Sequence, residues 1–179
     1  MKKNLFLAAI FSLFVFAVTA SAQIADHSGT WKLDVSKSKL GDRNMIAEQT
    51  LTVVQTAKDI TVTPVTKRNP PPEGSMGGRS GGGMGGGGDA AMTYTLDGKE
   101  TKAEVEGRMG KMPVTLSAKS EGGKLHLTSV STFSGQMGEI TVTTKESWEM
   151  STDGKTLTIT TDRTTPRGTD STTRVFTKN

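Results

Sequence analysis

From Thr30 to the C-terminus, apolar side chains recur at every second position, and no segment there carries a sustained helical period. Trp31, Leu33 and Val35 share one face of the first run; Val114, Leu116 and Ala118 share that of a later one. A two-residue period sends alternate side chains to opposite faces of a pleated strand, so one face can be buried while the other meets water. Short turn signals separate the runs, among them Asp97-Gly98, Gly122-Gly123, Asp153-Gly154 and Pro166-Arg167-Gly168. Asp-Gly suits a two-residue turn because both central positions need positive φ, so tight hairpins are expected at Asp97-Gly98 and Asp153-Gly154. The pattern predicts an all-β chain, an up-and-down antiparallel meander of about 8–10 strands. Closing that meander into a barrel would remove its two exposed edges, whereas a sandwich needs longer crossovers between sheets.

Residues 1–22 stand apart from this pattern. Lys2 and Lys3 precede an apolar run from Leu5 to Val18, which ends in Ala20-Ser21-Ala22. A basic start, a short apolar stretch and a small-x-small ending are the parts of a secretory signal peptide, and the run falls short of the ~20 residues that span a bilayer. A periplasmic or secreted protein without stable membrane insertion is expected. Residues 23–28 are then a flexible N-terminus and 29–178 a single barrel domain.

The 179-residue chain has no cysteine, which excludes disulfides, thiolate metal sites and a lipidated N-terminal cysteine. Its 22 basic and 18 acidic residues leave a small positive excess, too little to argue for nucleic acid. Beyond the leader, the only aromatics are Trp31, Tyr94, Phe133, Trp148 and Phe176, while threonine is abundant. That composition suits a thin β structure with a modest core, led by Trp31, Leu33, Leu116, Leu127, Val142, Trp148, Leu157, Ile159 and Phe176.

Residues 69–89, NPPPEGSMGGRSGGGMGGGGD, belong to no strand. Glycine loses the most conformational freedom on ordering and nothing here can be buried, so a disordered loop is expected. A phosphate-binding loop would need a following helix and a Gly-Lys-Ser/Thr ending, and neither is present.

Two end motifs carry a resemblance. Gly29-Thr30-Trp31-Lys32-Leu33 resembles the G-x-W opening of calycins, the superfamily of lipocalins and fatty-acid-binding proteins. Thr173-Arg174-Val175-Phe176-Thr177-Lys178 is similar to the Thr-Arg-Ile/Val-Tyr-x-Lys ending of fatty-acid-binding proteins. The chain also resembles small secreted bacterial lipocalin-like proteins. The resemblance implies a calycin-like barrel that binds a small apolar or amphipathic ligand, is not an enzyme, needs no cofactor or metal, and works as a monomer. It also implies a clamp in which Arg174 stacks on Trp31 and seals one end. The family's helical lid has no room here, since only Ser36 to Asn44 separates the first two strands, and its carboxylate-binding Tyr is Phe176.

If the barrel holds a cavity, Arg174, Arg163 and Phe176 are the candidates for an anionic head group, and Trp31 and Trp148 for its walls. Glu146 shares the apolar face of its strand. It is either buried and paired, with Arg163 or Arg174, or turned outward by a bulge. The competing reading is a structural or interaction module with a self-filled barrel and no ligand.

Overall fold

The computed structural model describes residues 24–41, 45–70, 89–107, 110–135 and 138–179. The leader lies outside the described residues, and so does 71–88 of the glycine-rich segment. The two described ends of that segment are tied to the barrel: Asn69 N donates to Met45 O (2.7 Å), and Thr66 N donates to Asp89 Oδ1 (3.0 Å).

Among the described residues, ten strands follow one another. They are β1 (Gly29–Leu33), β2 (Ile46–Gln55), β3 (Asp59–Arg68), β4 (Met92–Thr95) and β5 (Thr101–Gly107), then β6 (Gly110–Glu121), β7 (Lys124–Gly135), β8 (Gly138–Met150), β9 (Thr156–Thr165) and β10 (Gly168–Lys178). One sheet holds them in the order β4-β3-β2-β1-β10-β9-β8-β7-β6-β5. Every pairing is antiparallel, and β10 returns to lie beside β1. The expected up-and-down antiparallel barrel is the fold that forms.

Closure is incomplete at one seam. β4 and β5 stand at the two ends of the strand order and share no backbone ladder. Asp97-Gly98 therefore does not zip a hairpin. Gly98 does take a positive φ of 79°, but the link between the strands is made by side chains, Thr95 Oγ1 meeting Thr101 Oγ1 at 3.3 Å. Four residues of β4 pair with β3 alone, and turn chemistry cannot impose pairing on strands already committed elsewhere. Between β1 and β2 the described residues form one 3-10 turn, Val35–Lys37, capped by Asp34.

All nine expected core residues are buried. Most of the largest cluster at the end of the barrel where β1 begins and β10 ends. There Gly29 has a φ of 133°, and a Cβ on it would lie 2.8 Å from Lys178 Cε. Lys178 pairs with Trp31 across β1–β10, and its ammonium sits 5.2 Å from the centre of the indole ring. The opening glycine thus makes room for the lysine that covers the tryptophan.

This corrects the Trp31–Arg174 clamp. Lys178, and not Arg174, lies over the Trp31 ring, while the Arg174 guanidinium, four residues back along β10, bonds to Gln49, Glu146 and Thr161. The N-terminal segment differs from expectation too. Residues 24–28 are not a free tail, because His27 is 2% exposed and stoppers this end. Its carbonyl accepts from Trp31 Nε1 (2.9 Å), its amide donates to Gln55 Oε1 (3.0 Å), and its ring meets Trp148 edge-on at 5.8 Å. Burial holds the His27 imidazole below its ordinary pKa of 6.5.

Candidate functional site

Above this packed end the inward face changes character. Continuing up β10, β9 and β8 from Phe176, Ile159 and Trp148, the alternation brings in Arg174, Thr161 and Glu146. The ladder through β8 and β9 runs without a bulge, so Glu146 points inward, between Trp148 and Thr144 on the same face. Its carboxylate is held from three sides. Arg174 Nη2 lies 3.3 Å from Oε1, Thr161 Oγ1 donates to the same oxygen at 3.4 Å, and Trp148 Nε1 donates to Oε2 at 2.9 Å.

Arg174 is engaged beyond Glu146. Its Nη1 donates to Gln49 Oε1 across the barrel on β2 (3.2 Å), and Nη2 also donates to Thr161 Oγ1 (2.9 Å). Gln49 in turn donates to Thr66 Oγ1 on β3 (3.0 Å). Both ions are about one-fifth exposed, so each retains some water. Burial pushes the nearby Tyr94 hydroxyl well above the ordinary tyrosine pKa, and the Glu146 charge adds to that shift.

These side chains line a cavity of about 340 Å3 inside the barrel, within the range of small-molecule sites. Its lining divides by strand. From β3 to β6 it is mainly apolar, with Val62, Pro64, Met92, Val105 and Val114, and Thr66 and Arg68 are its polar members there. From β7 to β10 hydroxyls and charges predominate: Ser129, Ser131, Thr144, Glu146, Thr161 and Arg174, with Arg163 two positions beyond Thr161. A second hollow of about 370 Å3 lies at the β4–β5 seam, lined by Asp59, Thr93, Thr95, Thr101 and Glu104, with no cation among its described lining residues. The interior cavity is where charged and polar side chains converge.

Of the expected site residues, Arg174, Arg163 and Trp148 meet in this cavity. Phe176 does not line it. That ring is fully buried in the packed end, paired with Leu33 and Leu157. Trp31 is likewise core and not cavity wall. Gln49 is a site residue that the sequence reading missed. Continuing the alternation back from Val53 and Leu51 by two residues would have placed it inward.

No family model matches the chain, and no curated protein matches it. Among solved structures it is similar to zebrafish ileal bile acid-binding protein in complex with cholic acid. The two are 18% identical, with a TM-score of 0.47 over 85% of this chain and 98% of that one.

Proposed function

We propose that this protein is an exported, non-enzymatic carrier that holds one small amphipathic molecule inside its barrel. The observation that carries the reading is the divided cavity, mainly apolar on the β3–β6 side and hydroxyl-rich on the β7–β10 side. A ligand with polar groups along one edge and hydrocarbon along the other would satisfy both walls at once, since buried hydroxyls need partners and apolar walls need contact. A reading without chemistry suits Glu146, whose carboxylate is occupied by an arginine, an indole N–H and a threonine hydroxyl. Export rests on the leader-like residues 1–22.

A self-filled interaction module is the competing reading, and it describes only the packed half of the barrel. The two separate in one experiment on the mature protein, expressed to the periplasm. Native mass spectrometry after exposure to a lipid extract should show one retained small molecule per chain, and Nile red should saturate at one per barrel. An empty protein that leaves Nile red dark would overturn the carrier reading.

A further inference from the structure

We propose that Glu146 is a specificity-determining residue of this cavity: by holding Arg174 it denies that guanidinium to carboxylate ligands and favours non-ionic amphiphiles. The inference rests on the carrier reading and gives it a ligand class. An arginine lining a cavity is ordinarily an anchor for a carboxylate, since the two planar groups match in charge and geometry, and Arg174 shares this lining with Arg163 and Arg68. Here the position is taken. Glu146 Oε1 lies 3.3 Å from Arg174 Nη2, and Gln49 and Thr161 occupy further guanidinium donors.

A ligand carboxylate has two ways to reach Arg174, and both are unfavourable. It can share the guanidinium, which places two like charges within a few ångströms of each other inside the barrel. It can displace Glu146, which leaves that carboxylate half-buried with only Trp148 Nε1 and Thr161 Oγ1 as donors. An alcohol or ether meets neither penalty. Ser129, Ser131 and Thr144 lie on the same wall, and a hydroxyl ligand can both donate to them and accept from them.

The test uses matched ligands, dodecan-1-ol and dodecanoate, competing with Nile red for the mature protein at neutral pH. The ratio of the two affinities is the readout, because a purely structural effect of a substitution moves both ligands alike. Wild-type protein should bind the alcohol at least about tenfold more tightly than the acid, a difference of about 1.4 kcal/mol. Glu146→Gln retains the shape and an acceptor for Trp148 but removes the charge, and should move the ratio at least about tenfold toward the acid.

Three results would overturn the inference. One is a wild-type preference for the acid. Another is a ratio that Glu146→Gln leaves within about threefold, as it would if acids were held at Arg163 instead. The third is no binding of either ligand or of Nile red, which would remove the carrier reading itself and is recognisable as such. The wild-type comparison decides the matter even if the variant fails to fold.

Discussion

The two ends of this barrel are built by the same alternation and solve opposite problems. At the packed end, Leu33, Phe176 and Leu157 meet in register across β1, β10 and β9, Trp31 is buried two residues before Leu33, and His27 closes what remains. At the cavity end, the same inward positions of β8, β9 and β10 carry Glu146, Thr161 and Arg174, which satisfy one another and leave space. Period-2 patterning decides only which side chains point inward. Whether the interior is filled or hollow depends on what stands at those positions. Stability should therefore reside at one end and binding at the other, an arrangement familiar where rigid scaffolds carry functional sites.

The strongest challenge to that division is Trp31→Ala. The indole is fully buried, its N–H is satisfied by the His27 carbonyl, and Lys178 covers its face. Truncating such a residue costs about 3–5 kcal/mol, a large share of a small domain's stability. Urea denaturation should show a largely unfolded protein. A midpoint close to wild type would mean that the packed end does not hold the barrel together.

Next comes Arg174→Met, expected to cost about 1–3 kcal/mol because it strands the Glu146 carboxylate. The pair is about one-fifth exposed, which keeps this below the cost of breaking a fully buried pair. Adding Glu146→Gln to the same chain should recover part of the loss. A double-mutant cycle with no coupling would show that the two groups do not depend on each other.

Acid should act on the packed end. Burial lowers the His27 pKa in the folded state, while the unfolded chain takes up its proton near the ordinary value of 6.5. The contribution is fully present above that pH and is lost as pH falls below it, levelling off once the folded state is protonated as well. Besides neighbouring Asp26, the groups that meet the imidazole are uncharged: Gln55, the Ala25 backbone and the Trp148 ring. Urea midpoints should fall between pH 7.5 and pH 5, and His27→Leu should flatten that slope. An unchanged slope in the variant would assign the acid sensitivity to other groups.

How much of this was legible in the sequence follows from what alternation encodes. It identifies inward positions, so Leu116, Leu127, Ile159 and Trp148 were readable as core, and Glu146 as a charge on that face, buried and paired unless a bulge turned it outward. It does not encode register. Trp31 and Arg174 sit in two recognisable end motifs, yet β1 pairs Trp31 with Lys178, a four-residue offset that no local pattern announces. Phe176 was placed at a ligand for the same reason, since its depth along β10 is set by its pairing with Leu33. His27 precedes the first alternating run and carried no signal, because its burial depends on Gln55, 28 residues away in the chain. The Asp97-Gly98 turn was read correctly as a turn and wrongly as a hairpin, for turn residues specify a local φ and not the partner of the strand that follows.

The smallest expected effect sharpens the comparison from the cavity side. Thr144 lies on the polar wall, opposite Ser129 on β7 and Arg163 on β9. Thr144→Val exchanges a hydroxyl for a methyl at nearly constant shape, at a position that is only half-buried. The cost should stay within about 0.5 kcal/mol, as at sites outside the packed core. Binding should respond where stability does not, because the substitution removes one of the hydroxyls offered to the polar edge of a ligand. Dodecan-1-ol should bind severalfold more weakly while Nile red, which relies on apolar contact, holds steady. A loss of more than about 1 kcal/mol of stability would show that the polar wall is part of the scaffold, and that the division between a holding end and a binding end is wrong.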